Sequence, residues 1–208
     1  ECTCHDYYAR LYPRTFGNHT VWSENKSGDD VELAGYTWIK EDGVYVIESN
    51  NPGNVNDRQG IVVKDGVNAS ICLAGVELSG SADTTCFDIG KSNVHLTLNG
   101  ENKITSYQSK TFVCEGNLTV DGTGSLIVTS SANDTPISCT GESTVIKSGC
   151  IRAEGGMTFS IKINDDKTGG KFVIGENASV YAKYGKNIGK TLFLGMCGAA
   201  VCYLVAGG

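Results

Sequence analysis

Residues 117–131, NLTVDGTGSLIVTSS, alternate apolar with hydroxyl-bearing side chains around Gly122 and Gly124. A period of two predicts strands that bury one face. The same shape recurs along the chain: two core-type residues flank an outward one, and a glycine follows. The copies are ICLAG (71–75), LTLNG (96–100), LTVDG (118–122), FVIG (172–175) and LFLG (192–195). A second motif also closes on glycine, in IVVKDG (61–66), CFDIG (86–90), FVCEG (112–116) and ISCTG (137–141). Its glycines, at 66, 90, 116 and 141, step by 24, 26 and 25 residues. Gly75, Gly100, Gly124 and Gly149 step by 25, 24 and 25. Two markers with one period establish an internal repeat.

A period near 25 suits leucine-rich repeats, but those need a helix or turn segment per repeat and an Asn at a fixed offset. No stretch between the strands has helical periodicity. A solenoid of short strands fits better: at 3.3 Å per residue, one repeat traces a closed rung of roughly 80 Å, enough for three strands and their corners. Such rungs stack by parallel pairing with a right-handed path. The expected fold is therefore all-β, a right-handed parallel β-helix of about six rungs with an N-terminal cap. Ile71, Leu73, Leu96, Leu98, Leu118, Val120 and Ile127 are expected to face inward, and Cys72, Thr97, Thr119 and Lys147 outward. Glycine recurs at corners where a tight bend needs positive φ.

NVHLTLNGENKITS and NLTVDGTGSLIVTSS resemble rungs of the right-handed β-helix domains of secreted bacterial proteins described as carbohydrate-binding domain-containing, and of the wider pectate-lyase-like class. The resemblance covers roughly residues 43–185 and implies an architecture; it hosts lyases, adhesins and inert rods alike, so it implies no activity.

The two ends differ from the repeat. Residues 1–42 hold Trp22, Trp38, Tyr7, Tyr8, Tyr12 and Tyr36 with Cys2 and Cys4, and are read as a cap on the first rung; an aromatic sugar-stacking platform at Trp22 and Trp38 is the rival reading. Residues 43–208 form the rungs of the same domain, ending in TLFLGMCGAAVCYLVAGG (191–208), which carries no charge. Leu192, Phe193, Leu194, Met196, Val201, Tyr203, Leu204 and Val205 are the expected assembly interface, because a large apolar patch is normally covered by a subunit. Burial under the N-terminal cap is the main alternative. A membrane contact is the weaker one, since the stretch is short for a span and holds four glycines.

Composition narrows the function class. The net charge is −6 and the 17 Lys and Arg are scattered, which argues against nucleic acid as a partner. Nine cysteines in a chain that opens at Glu1 rather than Met predict a processed, secreted or cell-surface protein. Asn18, Asn25, Asn68, Asn117, Asn133 and Asn177 begin Asn-x-Ser/Thr sequons and are candidate glycosylation sites. Disulfide candidates are Cys2 and Cys4 with Cys197 and Cys202, joining the ends or neighbouring subunits, and Cys114 with Cys139, at equivalent places in successive rungs. A ladder of free thiols is an equal reading of that last pair. Cys86 lies near the same column, and Cys72 and Cys150 are expected to be more exposed.

Cys2-Thr-Cys4-His5 has half of a zinc site without the usual spacing, so neither metal nor cofactor is expected. Asp29-Asp30 and Asp165-Asp166 lack an acidic or Arg partner one rung away, as a polysaccharide-cleaving site would need. His95 reads as a wall residue. The expectation is a non-catalytic structural or adhesive unit of a cell-surface or filamentous assembly, whose partners are further copies or another extracellular protein. A carbohydrate-binding module is the alternative and a polysaccharide lyase or hydrolase the third reading.

Overall fold

A computed structural model of the chain describes residues 8–53, 60–80, 85–107, 110–130, 135–155, 161–163 and 171–183. Two antiparallel pairs come first. Strands β1 (Tyr12–Phe16) and β2 (His19–Ser23) form a hairpin, and β3 (Val31–Leu33) pairs with β4 (Thr37–Ile39). After β5 (Gly43–Ser49) the chain winds through β6 (Ile61–Val63), β7 (Asn68–Ala74) and β8 (Glu77–Gly80), then β9 (Phe87–Asp88), β10 (Asn93–Asn99) and β11 (Glu101–Ser106). The next turn is β12 (Phe112–Cys114), β13 (Asn117–Gly122) and β14 (Ser125–Ser130). Two further turns carry β15 (Ile137–Cys139) with β16 (Ser143–Gly155), and β17 (Ile161–Ile163) with β18 (Lys171–Lys183).

From β4 onward each strand pairs in parallel with its equivalent one turn away. Three walls result. One is β4-β6-β9-β12-β15-β17; the second is β5-β7-β10-β13; the third is β8-β11-β14. The long strands β16 and β18 run around the corner and serve the second and third walls at once. The fold is a β-solenoid of about five turns. Along the second wall Asn68 faces Asn93, Asn93 faces Asn117 and Asn117 faces Ser143, so the repeat seen in the sequence is the turn length.

The two glycine series are two corners of the turn. Gly100 lies between β10 and β11 with φ of 68° and open space around it, a left-handed conformation that side chains with a Cβ avoid. Gly116, before β13, has another reason: a Cβ there meets the carbonyl oxygen of Ser92 in the turn below at 2.0 Å. Backbone pressed on backbone leaves room for hydrogen alone.

Period-two alternation fills the interior. Ile71, Leu73, Leu96, Leu98, Leu118 and Val120 are buried as expected, and Phe87 stacks on Phe112 one turn above with ring centroids 5.5 Å apart. Thr97 and Thr119 are half-buried on the outside and Lys147 is exposed. Ile127 is a correction: it faces outward in β14, between Lys103 and Arg152, while Leu126 and Val128 face in. Counted in twos from Leu118 and Val120, the alternation runs through the corner at Gly122–Gly124 to Leu126 and Val128, so Ile127 falls on the outward phase. One polar side chain is fully buried at a corner. Asn102 accepts from Val76 N at 2.9 Å and donates to Ser125 O at 3.1 Å and Asn99 O at 3.3 Å, tying three successive turns together. A void of about 20 Å³ among Phe112, Leu118, Ile137 and Phe172 holds a water at most, so these turns are filled by their own side chains.

The N-terminal segment closes one end of the stack. Strand β2 pairs antiparallel with β5, and β3 with β4, so the first and second walls are capped at this end, while on the third wall β8 pairs with β11 alone among the described residues. His19, fully buried in β2, bonds through Nε2 to Thr37 Oγ1 of β4 at 2.9 Å and so joins the two sheets.

Candidate functional site

The outer face of the second wall begins under the N-terminal segment. Alternation turns Val46 and Cys72 outward, yet both are buried, because Leu11, Tyr8 and Trp22 fold over them. This overturns the expected exposure of Cys72: its outward direction is right, and the cap covers it. Trp22 donates its indole N–H to Glu48 Oε1 at 2.8 Å, and Tyr8 donates its hydroxyl to Glu48 Oε2 at 3.1 Å. The two rings meet edge to face at 5.0 Å. Burial, and then the negative charge of Glu48, push the Tyr8 hydroxyl up to about 12, so it stays a donor across the physiological range.

Trp38 lies elsewhere. It sits in β4 on the first wall, half-buried, with its indole N–H on Ala34 O at 3.3 Å and Tyr36 edge to face at 6.3 Å. The two tryptophans therefore belong to different sheets and do not form one stacking surface. Each is anchored by its own N–H.

Farther along the second wall the outer face is a ladder of amides. Asn117 Nδ2 donates to Asn93 Oδ1 at 2.8 Å, Asn93 Nδ2 to Asn68 Oδ1 at 2.8 Å, and Asn68 Nδ2 to Asp42 Oδ2 at 3.1 Å. Asp42 also accepts from Asn68 N at 2.7 Å, and this bonding holds its carboxyl below the usual range. Beside the ladder, Asp121 bridges two residues of the turn before it: His95 Nε2 at 2.7 Å and Thr97 Oγ1 at 2.9 Å. His95 is thus a wall residue, as expected, with a partner the sequence reading did not supply.

The buried thiols are inert in this fold. Cys114 and Cys139 face each other in register across β12 and β15, but both are free, as are Cys86 and Cys150. The disulfide expected between Cys114 and Cys139 is replaced by the free-thiol alternative. Each thiol has its own partner within its turn: Cys114 donates to Gly116 O at 3.4 Å and Cys139 bonds to Thr144. Burial pushes Cys114 up to about 11 and Cys86 and Cys139 up to about 12.

Of the acidic pairs, Asp29 accepts from Ser27 Oγ at 2.9 Å and Asp30 is buried beside Tyr45, whose hydroxyl it helps to raise. Among the described residues no group of three His, Cys, Asp or Glu can hold a metal ion. Cys2, Cys4, His5, Asn133, Asp165, Asp166, Cys197 and Cys202 lie outside the described residues, and so do Leu192, Phe193, Leu194, Met196, Val201, Tyr203, Leu204 and Val205. Among the described residues no helix is long and apolar enough to cross a membrane.

Asp42, Glu48, Asn93, Asn102 and Asp121 escaped the sequence reading. A signal was present for Asn93, which follows Asn68 and precedes Asn117 by one repeat each. No family model, curated protein or solved structure matches the chain.

Proposed function

We propose that the protein is a non-catalytic structural or adhesive β-solenoid, secreted or displayed at the cell surface, and a subunit of an extracellular assembly. The observation that carries this reading is the use of outer polar side chains. Asp42, Asn68, Asn93 and Asn117 bond to one another along the axis, and Glu48 is held by Tyr8 and Trp22. Groups of this kind stiffen a stack rather than converge on a small molecule.

The ends support assembly. Antiparallel strands cover β4 and β5 at the first turn, whereas Phe172 and Val180 in β18 pack on the core and stay only partly buried. An apolar contact at that end joins copies head to tail, and a contact that does not close gives a filament. Cys72 is disulfide-bonded, which supports an oxidising compartment. Size-exclusion chromatography and negative-stain microscopy of the mature full chain test the reading. Oligomers or fibres are expected, and a strictly monomeric, soluble chain overturns it.

A carbohydrate-binding role is the second reading, favoured by the half-exposed Trp38–Tyr36 pair on the first wall. It requires glycan-array binding that Trp38→Ala abolishes while Trp22→Ala leaves it largely in place.

A further inference from the structure

Five sequons lie among the described residues, and their side chains are in unlike situations. Asn25 opens Asn-Lys-Ser in the loop between β2 and β3. Its Oδ1 accepts from Ser27 Oγ at 2.7 Å, from Ser27 N at 2.9 Å and from Gly28 N at 3.2 Å, an Asx turn that includes the hydroxyl of the sequon itself. Arg14 fixes the loop from beneath, donating to Lys26 O at 2.9 Å and Asn25 O at 3.4 Å. Every hydrogen bond to the Asn25 side chain falls on Oδ1, and its Nδ2 bonds to no described residue.

Three other sequons have the opposite arrangement. Asn18 is 9% exposed and its Nδ2 donates to Asn51 O at 3.0 Å. Asn68 and Asn117 point Nδ2 along the solenoid axis at the neighbouring turn, where it donates to Asp42 and Asn93. A pyranose on either amide has to enter a ladder whose steps are about 4.8 Å apart, and it leaves Nδ2 a single N–H for the bond to the neighbouring turn. Asn177, in β18, is exposed and open.

We propose that Asn25 is an N-glycan acceptor of the folded protein, and that Asn18 is closed to the same modification by burial, and Asn68 and Asn117 by the neighbouring turn that their Nδ2 groups face. The donor class is a lipid diphosphate-linked oligosaccharide, delivered by an oligosaccharyltransferase. Nδ2 bonds to the anomeric carbon as the bond from that carbon to the diphosphate oxygen breaks. The lipid diphosphate leaves with that electron pair, and the Nδ2 proton passes to a base of the transferase. A glycan at Asn25 projects from the rim of the cap and leaves the walls and the far end of the stack free. The inference rests on the secreted reading, but occupancy is read on monomers and assemblies alike, so absence of self-association leaves its test intact.

The test is secretion of the full chain from cultured eukaryotic cells, followed by deglycosylation with peptide N-glycosidase in heavy-oxygen water and peptide mass spectrometry. Labelled aspartate is expected at position 25 in most secreted molecules and at background level at positions 18, 68 and 117. Ser27→Ala should remove the label at 25 and Ser27→Thr retain it, both with the circular dichroism of the parent. An unlabelled Asn25, or label at Asn68 or Asn117 in most folded secreted molecules, overturns the proposal.

Discussion

Asn93 of one turn donates from Nδ2 to Oδ1 of Asn68 in the turn before it, at 2.8 Å, while its own Oδ1 receives Asn117 at the same distance. The middle amide is both donor and acceptor, so the ladder is continuous only through it. Asn93→Ala leaves the Asn117 donor and the Asn68 acceptor to water. Because the site is exposed, the loss is that of ordinary net hydrogen bonds, about 1–2 kcal/mol in all. For a chain of this size each kcal/mol lowers Tm by roughly 2–4 °C, measurable by calorimetry. A substitution with no effect on Tm means that the ladder does not stabilise the stack.

The two glycine corners separate a backbone-conformation effect from a close-contact effect. At Gly100 the space is open and φ is 68°, so Gly100→Ala should cost about 1–2 kcal/mol, the penalty of left-handed backbone with a Cβ. At Gly116 the added methyl meets Ser92 O at 2.0 Å and Ser92 N at 2.6 Å, atoms that belong to the neighbouring turn and cannot rotate away. Gly116→Ala should therefore cost about 3 kcal/mol or more and depress the yield of folded protein. Urea unfolding of both variants checks the order, and equal costs sink the close-contact explanation.

Where the sequence was legible, short-range pattern decided the outcome. Leu96 and Leu98 were placed inside because alternation within one strand is a property of the backbone. Ile127 departs from the expectation because its apolar character was set above the alternation, which runs from Leu118 and Val120 through Gly122–Gly124 to Leu126 and Val128 and turns Ile127 outward. Cys72 was given the right direction and the wrong exposure, since Tyr8, Leu11 and Trp22 reach it from 50 or more residues away in sequence. The Asn ladder was readable in principle from its spacing, but only a search for neutral partners one turn away finds it. Glu48 has no periodic signal: its role exists only once the cap has folded.

Asp88, on the outer side of β9, is raised above the ordinary carboxyl value, chiefly by burial. Glu115 and Asp65 add to the rise, while the Gly90 N–H, donated at 2.8 Å, and Lys110 oppose it. A carboxyl with a folded pKa above its unfolded one penalises the native state once ionised. Stability from this group is fully retained below the unfolded value of 3.8 and is lost as pH rises through the higher folded one. Asp88→Asn keeps an oxygen for Gly90 N and removes the charge, so it should raise Tm at pH 7 and give no gain near pH 3. A gain that is the same at both pH values rules out ionisation as its source.

The cysteines supply a readout of the stack itself. Cys86, Cys114 and Cys139 are buried in three successive turns with thiols pushed up to about 12, 11 and 12, so almost no thiolate exists at pH 8 in the native protein. Among the described residues, Cys150, half-buried on the third wall, is the free thiol that an alkylating reagent reaches. Iodoacetamide at pH 8 should therefore modify Cys150 in the folded chain and leave the other three until denaturant is added. All three turns belong to one continuous core, so unfolding of the whole stack should expose Cys86, Cys114 and Cys139 at one denaturant concentration. Peptide mass spectrometry across a urea series reads this directly. If Cys139 becomes reactive well before Cys86, the stack opens from its far end rather than as a unit.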